Sequence, residues 1–272
     1  MVIQITPQQG RGMFFWSLPK TNEYQIISKV HLPKDVFTFN DVYDNFLLSL
    51  NPITPETVSF SFGAKSQSKS ISPSFILEDY KNTIIPPQYF NNDNFINRYD
   101  KEIVTLTKNS IGTEQNLAPI ISQMYNYTLS FLSYADPIDG LYPYSQALDK
   151  KRTDCGGFST FLSSCLQSVG IPTRLVIGFV FNPHFFSSFP FVTYSLRDFF
   201  MHAWLEAMLP DHSWFPLDPS VEWRRTSGLS KRQGGFGVIP NDRLVVSFGH
   251  EIELPIKNKN YRFEIIQKPH YI

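Results

Sequence analysis

The spacing of apolar residues changes along the chain from a period of two, through helical spacing, and back to short apolar runs. Val58, Phe60 and Phe62 alternate with Ser59 and Ser61, as in a strand with one covered face. Tyr24 to Val30 is similarly strand-like, so residues from about 20 to 90 read as β-rich. Prolines and asparagines interrupt this region at Ile85-Pro86-Pro87 and Asn91-Asn92-Asp93-Asn94, and the second cluster is the stronger break. It divides the chain into an N-terminal β-rich region, 1–92, of a size suited to a small β-sandwich, and a second domain, 93–272.

Helical spacing then takes over. Leu117, Ile120, Ile121, Met124, Phe131 and Leu132 share one face and predict a helix over about 116–134. Phe158, Phe161, Leu162, Cys165, Leu166 and Val169 predict a second, buried on that face and with Cys155 at its exposed N-terminal tip. Thr153 or Asp154 can cap its start, Gly170 ends it and Pro172 bars its continuation. Arg174 to Phe181 is almost wholly apolar, as for a strand covered on both sides. An aromatic loop from Asn182 to about Phe200 precedes two strands, His202 to Leu209 and Trp214 to Leu217, joined by the turn Pro210-Asp211-His212-Ser213. Leu244 to Phe248 and Tyr261 to Ile266 read as closing strands, which makes the class α+β.

Composition narrows the function classes. The 272 residues carry equal numbers of acidic and basic side chains, scattered along the chain. No basic stripe points to nucleic acid and no polybasic segment to a membrane surface. Met13-Phe14-Phe15-Trp16 is too short for a signal peptide, and no run reaches membrane-spanning length, so the expected location is the cytoplasm. The two cysteines, Cys155 and Cys165, fall on one predicted helix about 15 Å apart, beyond disulfide reach. The sequon Asn126-Tyr127-Thr128 lies in a helical pattern and reads as chance.

Cys155 is the candidate nucleophile. It lies outside the apolar stripe, in Thr153-Asp154-Cys155-Gly156-Gly157, whereas Cys165 lies on the stripe as a small buried hydrophobe. A first-turn position favours the thiolate through the helix dipole, and the two glycines allow backbone N–H groups to approach a substrate oxygen. His202, at a strand start, is the candidate base; His184 in the loop and His212 in the turn are poorer supports for one. Asp218 is the candidate group orienting the imidazole, while Asp211 reads as a turn residue. The Cys155 N–H is one oxyanion donor, and Gln146 or Tyr144 a candidate second. His184, Phe185 and Phe186, with Trp204, are candidates for a substrate wall.

Three blocks in order resemble the transglutaminase-like superfamily, a papain-related group with catalytic order Cys, His, Asp. They are Asp154-Cys155 through Gly170-Ile171-Pro172-Thr173-Arg174 to Gly178-Phe179, then His202-Ala203-Trp204-Leu205-Glu206, then Trp214-Phe215-Pro216-Leu217-Asp218-Pro219-Ser220. Gly235-Phe236-Gly237 to Asn241-Asp242-Arg243 is similar to the bacterial branch, and Thr153 departs from its usual glycine. The resemblance implies a nucleophile helix packed on an antiparallel sheet that carries His202 and Asp218. It implies a thioester on Cys155, resolved by water as a hydrolase or by an amine as a transamidase, with a peptide or protein as substrate. A retired catalytic fold used as a binding module is the non-enzymatic alternative. No cofactor is expected: there is no calcium loop of EF-hand type, and Cys165 alone cannot supply a zinc site.

Overall fold

The computed structural model describes residues 2–5, 13–51, 54–181, 200–256 and 259–271. The first strands are β1 (Val2–Ile5), β2 (Phe14–Leu18), β3 (Gln25–His31), β4 (Phe37–Asn40), β5 (Phe46–Leu50), β6 (Glu56–Ala64) and the short β7 (Gln67–Ser68). Helices α1 (Lys101–Ile111), α2 (Leu117–Phe131), α3 (Tyr144–Lys150) and α4 (Cys155–Ser168) follow. The two-residue strands β8 (Ser133–Tyr134) and β9 (Arg152–Thr153) flank α3. Next come β10 (Thr173–Val180), β11 (Phe200–Met208), β12 (Trp214–Leu217) and α5 (Pro219–Thr226). The remaining strands are β13 (Val238–Ile239), β14 (Arg243–Phe248), β15 (Ile252–Ile256), β16 (Lys259–Phe263) and β17 (His270–Tyr271). Among the described residues no helix is long and apolar enough to cross a membrane.

Two compact units are built from separate stretches of chain. The first is Met1–Ser66, Val176–His202 and Asn241–Ile272; the second is Gln67–Leu175 and Ala203–Pro240.

The first unit is a β structure. Its strands run in the orders β1-β6-β3 and β17-β2-β5-β4, and Val176–Val180 of β10 pairs antiparallel with β14. Phe14, Phe15, Trp16, Leu47, Leu48, Val58, Phe60, Phe179 and Leu244 share its core. In β6 the expected alternation holds: Val58 and Phe60 are buried and Ser61 is exposed. A side chain stands in for strand pairing at Gln25, whose amide donates to Val245 O (2.8 Å) and accepts from Val245 N–H (2.7 Å).

The second unit is organised around α4, against which α1, α2, α3 and α5 all pack. The sequence predicts one buried face for this helix; the structure instead buries every residue from Gly156 to Gln167. Its small polar residues permit this because each finds a partner. Ser159 donates to Cys155 O (2.8 Å), Thr160 to Tyr142 O (2.8 Å), Ser164 to Thr160 O (2.9 Å) and Gln167 to Asn91 Oδ1 (2.9 Å). Beside the start of β10, β11 and β12 form an antiparallel pair in which Leu205 faces Leu217. The fully buried Glu206 is neutralised by Arg174 at 2.7 Å, and that guanidinium lies over the Trp214 ring.

Candidate active site

Chain geometry at the start of α4 is set by Asp154. Its Oδ1 accepts from Gly157 N–H (3.1 Å) to cap the helix, while Oδ2 accepts from Ile138 N–H (3.1 Å) and pins the preceding loop. Strand β9 enters the helix so tightly that a Cβ on Gly157 would lie 1.7 Å from Thr153 Oγ1. Glycine is required there by space alone. Thr153, Asp154, Gly156 and Gly157 are buried and Cys155 is only partly exposed, so the expected exposed tip is instead a partly enclosed thiol.

The expected ease of ionisation is overturned too. Burial, and next to it the Asp154 carboxylate, push the Cys155 thiol up to about 12. The Ala203 N–H directed at the sulfur opposes this, as does the Gly156 N–H, while Asp218 adds to it. Near neutral pH Cys155 is therefore a thiol, and burial outweighs the helix dipole. Burial also pushes Cys165 up to about 12, against the Thr107 side chain. Folded-state values above the unfolded ones mean that the native chain holds protons the unfolded chain releases. Stability from these thiols is full below about pH 8.5 and lost as pH rises towards 12. Urea midpoints should fall over that window, and more gently in Cys165→Ala, whatever that variant's offset at pH 7.

Asp218 reaches the same unit from the end of β12. It is fully buried and caps α5, its Oδ1 accepting from Val221 N–H (3.2 Å) and Ser220 Oγ–H (3.1 Å). Its backbone is fixed by Asp218 N–H donating to Gly235 O (3.2 Å). Tyr125 donates to Glu222 Oε2 (2.7 Å) on α5 and lies 3.1 Å from Asp218 O. Cys155 and Asp218 are thus close enough for one charge to act on the other.

His202 closes one stretch of the first unit, is buried, and its carbonyl accepts from Gln267 Nε2 (3.3 Å). The next residue, Ala203, has its N–H close enough to Cys155 to favour the thiolate, and its carbonyl lies 3.5 Å from Ser159 Oγ.

The remaining candidates are placed less favourably. Tyr144 donates to Asp100 Oδ2 (3.1 Å), and the exposed Gln146 accepts from Lys150 (3.2 Å). Both groups expected at the oxyanion are engaged on or beside α3. Trp204 is fully buried, so its ring supports β11 from within rather than presenting a face to solvent. His184, Phe185 and Phe186 lie outside the described residues. Asp211 accepts from Ser213 N–H (3.0 Å) and His212 has φ 63°, both as turn residues.

Sequence reasoning missed Tyr134. Its strand β8 pairs in parallel with β9, placing Tyr134 opposite Thr153, and its ring stacks on Phe158 with centroids 6.3 Å apart. Burial and the neighbouring Cys155 raise its pKa, so the phenol stays protonated. Arg224 of α5 lies over the same ring at 4.8 Å. Neither residue belongs to a motif: the β8–β9 pairing brings Tyr134 to Cys155, and α5, packed on α4, lays Arg224 over its ring.

Residues 104–219 match the model of the transglutaminase-like superfamily. This segment is similar to a transglutaminase-like core. It runs from α1 to the start of α5 and contains Cys155, His202 and Asp218. No curated protein sequence matches the chain. Among solved structures, a candidate cysteine protease from Cytophaga hutchinsonii is 12% identical, with 92% of this chain aligned to 84% of that one and a TM-score of 0.56. The periplasmic domain of TgpA from Pseudomonas aeruginosa is 15% identical over 84% and 74% of the two chains, with a TM-score of 0.42. The first likeness extends the shared fold beyond the transglutaminase-like core to most of the chain.

Proposed function

We propose that the chain is a cysteine-dependent acyl-transfer enzyme that hydrolyses peptide or related amide bonds through a thioester on Cys155. The observation that carries this is the placing of one partly enclosed thiol at the capped start of α4, within electrostatic reach of the buried Asp218 carboxylate and the Ala203 N–H. Ala203 directly follows His202 on β11, which supports His202 as the base.

In this reading His202 removes the Cys155 proton as the sulfur bonds to the amide carbonyl carbon. The Cys155 N–H, which at the first helical position has no intrahelical acceptor, faces the developing oxyanion. The C–N bond breaks and the imidazolium returns its proton to the leaving amine. Water, deprotonated by the same imidazole, then attacks the thioester, giving a carboxylic acid and the free thiol. Asp218, held by its cap bonds to α5, orients the imidazole and stabilises its charged form.

A peptide mixture incubated in heavy-oxygen water, with and without a primary amine, tests this. New carboxyl ends carrying one heavy oxygen are expected, and none with Cys155→Ala. Incorporation of the amine in place of water would overturn hydrolysis in favour of transamidation. Product formation that survives Cys155→Ala would overturn the mechanism.

A further inference from the structure

Two successive arginines on α5 have different fates. Arg225 is committed to the fold: it donates to Gly234 O (2.7 Å) and pairs with Glu222 at 3.6 Å. Arg224 is exposed and has no carboxylate partner among the described residues. Its guanidinium rests on the Tyr134 ring, 4.8 Å from the centroid. Tyr134 in turn is fixed by its pairing with Thr153 and its stacking on Phe158, the residues that bracket Cys155 in sequence. Trp223, beside Arg224, also packs on Phe158, with centroids 6.4 Å apart. A planar cation is therefore held on an aromatic platform at the edge of the nucleophile's turn, with its donors uncommitted among the described residues.

We propose that Arg224 is a specificity-determining residue that binds a carboxylate on the substrate, directing Cys155 to amides with an acidic group beside the scissile bond. This rests on Cys155 being the acylated nucleophile. Guanidinium and carboxylate are matched for paired hydrogen bonds, and stacking on Tyr134 limits the ordering that binding costs. Asp154 and Asp218 also lie near Cys155 and would repel an anion, but both are buried and accept hydrogen bonds, Asp154 from Gly157 and Ile138 N–H and Asp218 from Val221 N–H and the Ser220 hydroxyl. Arg224, on the ring of the Tyr134 that neighbours Cys155, carries an exposed positive charge.

Paired alkylation tests the proposal without a known substrate. Cys155 is labelled with anionic iodoacetate and with neutral iodoacetamide, and the ratio of the two rates is compared between the native chain, Arg224→Gln and Arg224→Lys. The ratio should fall about fivefold in Arg224→Gln, the effect of removing one charge that faces another across water, and less in Arg224→Lys. Raising salt should lower the native ratio towards that of Arg224→Gln. Protection of Cys155 from iodoacetamide by N-acetyl-aspartate amide, compared with N-acetylglycine, separates a side-chain carboxylate from a terminal one. A ratio unchanged in Arg224→Gln while Cys155 still labels would overturn the proposal. Absence of Cys155 labelling by either reagent would instead overturn the nucleophile reading.

Discussion

Replacing His202 with alanine is expected to slow carboxamidomethylation of Cys155 by about a hundredfold to a thousandfold at pH 7, the usual worth of a positioned base. The expectation follows from the state of the thiol. Burial and Asp154 hold it near 12, so the preformed thiolate at neutral pH is a very small fraction of the whole. Reactivity then depends on a partner that removes the proton as the S–C bond forms. Without that partner only the thiolate reacts, and the rate should climb about tenfold per pH unit up to about 12. The native chain should leave that slope and react well below it. Limiting iodoacetamide, with the adduct mapped by mass spectrometry across pH 6 to 11, reads both effects. Equal profiles in the two proteins, or preferential labelling of Cys165, would sink the role given to His202. The imidazole is buried on a strand whose backbone Gln267 holds, so circular dichroism should accompany the comparison.

What could be read in the sequence was what depends on near neighbours in the chain. Helix α4 begins and ends where Asp154, Gly170 and Pro172 place its limits, because caps and breakers act within one turn. The strands β10, β11 and β12 follow from apolar runs and a turn for the same reason. Helix α5 was legible but unread: Asp218-Pro219 is a cap residue followed by proline at the first helical position, where its missing N–H costs nothing. The cap bonds to Val221 and Ser220 are what fix Asp218.

Other features had no local signal. The polar side of α4 is buried because Asn91, Tyr142 and Thr173 arrive from elsewhere to satisfy it. Cys155 is shifted upward by surroundings assembled from several elements, and a dipole argument built on one helix cannot include them. Tyr134 and Arg224 are ordinary surface residues in one dimension; the pairing of β8 with β9 sets Tyr134 near Cys155, and the packing of α5 on α4 sets Arg224 over the Tyr134 ring.

The largest effect on stability is expected from Gly178→Ala. Gly178 lies in β10 where the register with β14 shifts, between Ile177 and Gly178. A Cβ there would stand 2.1 Å from the Leu244 carbonyl oxygen, and that neighbour is backbone held in the strand pair rather than the end of a flexible side chain. The clash can be relieved only by separating β10 from β14, at a cost of about 3 kcal/mol or more. Phe179 and Leu244, beside the contact, both belong to the first unit's core, so the separation would also loosen buried apolar packing. Thermal unfolding should report a midpoint lower by about 10 °C. Gly63→Ala is the matched control, because a Cβ on that β6 glycine meets nothing within 4 Å, and it should leave stability unchanged or slightly raised. Loss of activity should accompany Gly178→Ala even where the chain remains folded. Gln267 donates from one amide nitrogen to both Gly178 O and His202 O, so moving β10 removes the brace that holds the proposed base. If Gly178→Ala melts with the native protein, the close approach of β10 to Leu244 is not what sets this strand pair.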